Sequence, residues 1–138
     1  MWITYYNLMS WFSYCCDFSM KRILVVDDDK DILNILKLIL QMNGFEVMVT
    51  PNGEEALSKS LSYSPQLVLL DVFLSGSDGR DICNVLKGHP LTKDIPVVIF
   101  SAHSNLEDVL KVCNADDFIS KPFDINELVE KINQHLVA

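Results

Sequence analysis

Gln66-Leu67-Val68-Leu69-Leu70-Asp71, followed by Val72-Phe73-Leu74-Ser75-Gly76-Ser77-Asp78-Gly79, decides the fold. An apolar run ends abruptly on a carboxylate and then breaks into a Ser/Gly loop. A short Leu and Val run bounded by turn residues reads as a strand buried on both faces of a parallel sheet. Ligands of such sheets bind beyond the carboxyl ends of the strands, where Asp71 falls. An Asp after a strand is also an ordinary turn former or helix cap, so the other strand ends must decide.

The same pattern recurs on both sides of this stretch. Ile23-Leu24-Val25-Val26 is a second buried run, and it ends on Asp27-Asp28-Asp29. Residues 31–43 carry apolar side chains at 32, 35, 36 and 39, a helical face stopped by Gly44. A strand over 45–49 and a turn at Pro51-Asn52-Gly53 lead to a short helix over 54–61, with Ala56, Leu57 and Leu61 inward. Beyond Asp71, a helix over 78–87 sets Ile82, Val85 and Leu86 at core spacing. Ile95 to Phe100 is the next buried strand, closing on Ser101-Ala102. A helix over 105–113 follows, with Asn114 as a left-handed stop. A short strand over 116–120 then ends on Lys121-Pro122, and a last helix is capped by Asp124 and buries Ile125, Leu128, Ile132 and Leu136. Strands and helices thus alternate five times, which predicts an α/β fold: a doubly wound parallel sheet with helices on both faces.

Composition bounds the function. At 138 residues, 49% hydrophobic and 22% charged, the chain suits one soluble domain with a proper core. A net charge of −8 argues against nucleic-acid binding, which relies on Lys and Arg neutralising phosphates. Cys15, Cys16, Cys83 and Cys113 lack metal-ligand spacing, and the last two fall at apolar helical positions, as expected of a cytoplasmic protein with reduced thiols. Residues 1–19 are aromatic-rich and hold no Lys or Arg. They lack the basic start of a signal peptide, and polar residues interrupt any membrane span. They read as an extension outside the domain, disordered or produced by an upstream in-frame start, with the domain itself over 20–138.

Four strand ends therefore bring Asp27 and Asp28, Asp71, Ser101 and Lys121 to one edge of the sheet. Clustered carboxylates repel one another and hold protons unless a positive group joins them. A hard divalent cation such as Mg²⁺ does this with carboxylates, water and substrate phosphate oxygens. Lys121 adds a point charge for a phosphoryl group and Ser101 a hydroxyl donor. Asp71 can then act as a carboxylate nucleophile that forms an aspartyl phosphate. The bland alternative for Asp27–Asp29 is a set of solvated carboxylates at a helix start, and for Phe118 an ordinary core aromatic.

Val25-Val26-Asp27-Asp28, Leu70-Asp71 with Asp78-Gly79, Ser101-Ala102, and Phe118-Ile119-Ser120-Lys121-Pro122-Phe123 occur in that order at matching strand ends. In this the chain resembles the receiver domain of two-component response regulators, over residues 20–138. The resemblance implies a flavodoxin-like five-stranded sheet of order 2-1-3-4-5 with five helices, like that of chemotaxis regulators. It implies that Asp71 takes a phosphoryl group from a sensor histidine kinase or phosphotransfer protein, with Ser101 and Lys121 assisting. Asp28 and Asp71 would hold Mg²⁺ by side chain, Phe73 by its backbone carbonyl, and Asp27 through a coordinated water. Ser101 and Phe118 would form the switch, and the Lys121-Pro122 bond would be cis.

Such a protein is not an enzyme acting on a separate substrate but a phosphoacceptor that assists its own phosphorylation and dephosphorylation. The expectation is a stand-alone receiver whose signal leaves by contact with an unidentified downstream protein or by onward phosphotransfer, without nucleic acid or membrane. The rival readings are a pseudo-receiver adaptor that works without phosphorylation, and a Mg²⁺-dependent aspartyl-phosphate phosphatase. The phosphatase would want a second Asp where Phe73 stands. Three departures from the family pattern are visible: Ser75 replaces the usual Pro, the segment from Ser101 to Asn114 is short, and bulky Phe73 and His103 flank the phosphorylation site.

Overall fold

Strand β1 (Arg22–Val26) leads to helix α1 (Lys30–Met42), and β2 (Glu46–Thr50) to a 3-10 turn (Gly53–Glu55) and α2 (Ala56–Tyr63). The central strand β3 (Leu67–Asp71) is followed by a two-stranded hairpin of β4 (Phe73–Leu74) and β5 (Ser77–Asp78), then α3 (Gly79–Gly88). β6 (Val97–Ser101), β7 (Asp117–Ser120) and α4 (Ile125–Leu136) complete the elements of this computed structural model, which describes residues 20–102 and 113–136. The extension over 1–19, His103 and all but the last residue of the helix read over 105–113 lie outside the described residues.

The sheet has the order β2-β1-β3-β6-β7 with every neighbouring pair parallel. Because the hairpin adds two short strands to the count, this is the expected 2-1-3-4-5 order in a different numbering. Leu67, Val68, Leu69 and Leu70 are all buried, since β3 lies mid-sheet and is covered on both faces. One core joins β1, β3 and β6 to Leu33, Leu36 and Leu40 of α1 and to Leu128 and Ile132 of α4. The opposite core joins Leu24, Val26, Val68, Leu70 and Ile99 to Ala56, Cys83 and Leu86 of α2 and α3. The starts of α1, α3 and α4 are each capped by a carboxylate. Asp29 accepts from the N–H groups of Asp31 (2.9 Å) and Ile32 (3.4 Å), Asp78 from Arg80 (2.9 Å) and Asp124 from Asn126 (2.8 Å). Gly44 and Asn114 take the positive φ expected of helix stops, and Ser64 does so unexpectedly at the end of α2. No described helix is long and apolar enough to cross a membrane.

The helix faces differ from those read by periodicity. In α1 the buried residues are Leu33, Leu36 and Leu40, while Ile35 is 56% exposed. The apolar residues cover a wide arc, from Leu33 round to Leu38, opposite Lys30, Asn34, Lys37 and Gln41, and docking on the sheet selects which part of that arc is buried. In α2 the core takes Ala56 and Ser60 and leaves Leu61 exposed; in α3 it takes Cys83 and Leu86 and leaves Val85 exposed. Ile125 of α4 is exposed too, at the first turn, before the helix reaches the sheet. Cys83 donates its S–H to the Cys113 carbonyl at 2.9 Å, and burial pushes its thiol up to about 12.

These faces are open to test by urea unfolding. Leu33→Ala and Leu40→Ala should each cost about 2–5 kcal/mol through the cavity left behind. Ile35→Ala, on the solvent face, should change stability by less than about 0.5 kcal/mol. Equal losses at 33 and 35 would contradict the observed docking of α1.

Candidate functional site

Side chains of a strand alternate between the faces of the sheet, and this alternation builds the site. Val25, Leu69 and Ile119 all point into the core under α1 and α4. Two residues further along β1, β3 and β7 come Asp27, Asp71 and Lys121, on that same face but past the last apolar layer. Asp27 and Asp71 are both buried, Asp71 with 7% of its surface exposed. The Lys121 ammonium lies 3.0 Å from Asp27 Oδ2 and 3.5 Å from Asp71 Oδ2, bridging the two carboxylates. It also sits 4.5 Å from the centre of the Phe100 ring, which supports its aliphatic stem and adds a cation–π attraction. The Lys121-Pro122 bond is cis, and the Lys121 N–H donates to the Ser101 carbonyl at 2.8 Å, carrying the ladder up to the site.

Asp28, on the β1–α1 connection, brings the third carboxylate. Ligand oxygens of Asp27, Asp28 and Asp71 all lie within 4.8 Å of one another. The Ser75 hydroxyl donates to Asp28 Oδ2 at 2.8 Å and holds that carboxyl below the usual carboxylate range. Asp71 goes the other way. Burial pushes its carboxyl up, Lys121 opposes this, and the charge of Asp27 adds to it. The Phe73 N–H donates to Asp71 Oδ1 at 3.3 Å, while the Phe73 side chain is 58% exposed beside the site. Asp29, the last of the acidic run, does not join the cluster; its carboxylate is spent on capping α1.

Gly79 explains why the loop after Asp71 is short and fixed. Its N–H donates to the Val72 carbonyl at 2.8 Å, and any Cβ there would strike the Asp71 carbonyl and approach Val72 Cα to 2.7 Å. Only glycine lets α3 begin this close to the strand end.

Ser101 and Phe118 occupy the other face of the sheet. Phe118 pairs in register with Ile99, two residues before Ser101, and packs against the second core. Ser101 is buried and Phe118 is half-buried. The Lys131 ammonium stands 5.1 Å from the Phe118 ring centre and donates to the Phe118 carbonyl at 2.7 Å. It also pairs with Asp117 at 3.3 Å, as His135 does at 2.9 Å. Burial of Asp117 is outweighed by its bonds from His135, the Phe118 N–H and Lys131, which hold its carboxyl below the usual range. This Asp117–Lys131–His135 cluster and the Ser75–Asp28 bond escaped the sequence reading. Both join residues far apart in the chain, so neither has a local signal.

The three clustered carboxylates fit a hard divalent cation. They supply oxygen donors only, and three carboxylates outnumber the one bridging ammonium. Two grooves, one walled by Gly53, Leu57, Asp78, Ile82 and Val85 and the other, beyond the far end of α1, between Asn43 and α4, leave Asp71 outside their walls. Among the described residues the site is a sheet end rather than a closed pocket.

Comparison with known proteins agrees with this geometry. Residues 23–133 match the family model of the response regulator receiver domain. The chain is 37% identical over 122 residues to the DNA-binding response regulator MtrA of Mycolicibacterium smegmatis, covering 87% of this chain and 52% of that protein. It thus spans about half the length of the curated relatives it matches. The signal receiver domain of a histidine kinase from Syntrophus aciditrophicus superposes with a TM-score of 0.77 at 34% identity, over 84% of this chain and 89% of that one. Chemotaxis protein CheY4 of Vibrio cholerae, at 23% identity, shares the fold with a TM-score of 0.80 over 86% of this chain and all of that one. The chain belongs to the response regulator receiver domain family.

Proposed function

We propose that Asp71 accepts a phosphoryl group from a phosphohistidine on a sensor histidine kinase or phosphotransfer protein, in a reaction that depends on Mg²⁺. The observation that carries this reading is the buried Asp71 at the end of the central strand, with Lys121 and two further carboxylates around it. A carboxylate oxygen of Asp71 attacks phosphorus as the phosphorus–nitrogen bond to the donor imidazole breaks. Lys121 and the Ser101 hydroxyl meet the oxygens of the transferred group, and Asp27, Asp28, Asp71 and the Phe73 carbonyl would hold the cation. The cation supplies charge neutralisation for the phosphoryl oxygens. A sheet end rather than a closed pocket suits a protein donor that must present its histidine directly to Asp71.

On this reading the chain is a phosphoacceptor rather than an enzyme with a separate substrate. The Ser101–Phe118 face reports the phosphorylated state to a downstream protein, through a local charge change that biases a two-state element. MtrA is named as DNA-binding; with a net charge of −8, DNA contact is assigned to no residue of this chain. A cytoplasmic site of action accompanies the reading, supported by the Cys83 and Cys113 side chains, which are buried and outside any disulfide.

Incubation with Mg²⁺ and a small acyl-phosphate donor should add one phosphoryl group by mass, lost on chelation of the metal and in Asp71→Asn. An unmodified parent protein that also fails to bind beryllofluoride would favour a phosphorylation-independent adaptor.

The raised Asp71 carboxyl makes a separate prediction about stability. Its folded pKa lies above the unfolded value, so the folded state holds the proton more tightly, and stability falls as pH rises through the interval between the two. Once pH exceeds the folded value that loss is complete. Asp71→Asn should therefore raise the metal-free unfolding midpoint at pH 7, with the gain shrinking as pH drops through that interval and gone below the unfolded value of roughly 3.9. A midpoint at or below that of the parent at pH 7 would contradict this.

Phe73, exposed beside Asp71, and His103, outside the described residues, are proposed to hinder attack by water on the phosphoryl group. Phe73→Ala and His103→Ala should speed dephosphorylation by up to roughly tenfold, equivalent to about 1.4 kcal/mol of barrier. Rates no faster than the parent's would rule the shielding role out.

A further inference from the structure

Ser75 lies in the turn between β4 and β5, just before Gly76, whose φ of +77° closes the hairpin. Its hydroxyl reaches back across 47 residues to Asp28 Oδ2 at 2.8 Å. The bond ties together the two segments that carry the clustered oxygens: the β1 end with Asp27 and Asp28, and the β3 end with Asp71 and Phe73. The other two carboxylates already have an anchor, since Lys121 bridges Asp27 and Asp71. Asp28, exposed on a connecting loop, is out of that bridge and is oriented by Ser75. With that bond in place, a carboxylate oxygen of Asp28 lies within 4.8 Å of ligand oxygens of Asp27 and Asp71. Where the family usually has Pro, no hydroxyl would be available, so this contact is a property of the present chain.

We infer that Ser75 is a positioning residue of the cation site, holding Asp28 in the rotamer that completes the Asp27–Asp28–Asp71 oxygen cluster and so tightening binding of a divalent cation. The inference rests on the cation site of the proposed function. Hydrogen bonds to ligating carboxylates contribute to metal affinity by fixing the ligand's orientation. Here both partners are exposed and water competes for them, which sets the effect at or below the lower end of the usual roughly ten- to hundredfold.

Calorimetric titration of the unphosphorylated full chain with Mg²⁺ tests it. Ser75→Ala and Ser75→Pro should weaken binding by about three- to tenfold, while Ser75→Thr, which keeps the hydroxyl, should stay close to the parent. In an Asp28→Asn background, Ser75→Ala should add no further loss. Metal-free unfolding midpoints measured on the same variants separate a folding defect from a binding one. Unchanged or tighter binding in Ser75→Ala would overturn the positioning role, as would an equal loss with and without Asp28. A parent chain whose Mg²⁺ binding is absent, or survives Asp71→Ala, would instead overturn the cation site itself.

Discussion

The Lys121 ammonium between Asp27 and Asp71 is the contact on which the site depends. Two unit charges 4 Å apart attract by about 4 kcal/mol at the effective dielectric of a protein surface. Removing each ion from water costs several kcal/mol in return. One ammonium can balance one buried carboxylate on those terms, not the three that converge here. The raised Asp71 carboxyl is the visible result, because the bridge fails to offset burial and the charge of Asp27. The hydrophobic sheet pays for this imbalance, with β1, β3 and β6 buried so completely that their ends cannot move apart. A site that is short of positive charge is thereby poised for a cation.

Strand alternation also divides the sheet end between two faces. Asp27, Asp71 and Lys121 continue one face of the sheet, and Ser101 and Phe118 lie on the other. β6 ends beside Asp71 in register while Ser101 belongs to the Phe118 side, so the two faces meet at that residue. The contact of Lys131 with the Phe118 ring is of the exposed cation–π kind, about 0.5–1 kcal/mol. That biases a half-buried ring without locking it.

The strand ends could be read from sequence because each is a continuous apolar run broken by a charged or hydroxyl residue. Leu70-Asp71 and Val26-Asp27 change character in one step, and that step is where the strands end. Helix faces were harder. Ile32, Leu33, Ile35, Leu36, Leu38, Ile39 and Leu40 give α1 an apolar arc wider than the sheet covers, so tertiary docking sets its rotation. Ser60 enters the core where Leu61 was expected, because it shares with Ala56 the side of α2 that faces the sheet. The left-handed Ser64 has no sequence signal, since Ser is an uncommon residue there. Ser75 read only as a departure from the family pattern; its bond to Asp28 needs two loops brought together by the whole sheet.

Gly79 shows in which direction the dependence runs between scaffold and site. The helix that follows the loop after Asp71 begins against the Asp71 carbonyl, at a distance only a residue without Cβ permits. The backbone of Asp71 is therefore placed by strand pairing on one side and by the Gly79 to Val72 bond on the other. Its side chain adds the longer contacts with the Phe73 N–H, at 3.3 Å, and Lys121, at 3.5 Å. Lys121 is held similarly, by its backbone bond to Ser101 and by the Phe100 ring under its stem. Attractive and repulsive groups can then coexist at one sheet end without reshaping it, because main chain and core, not the ionic groups, hold them there.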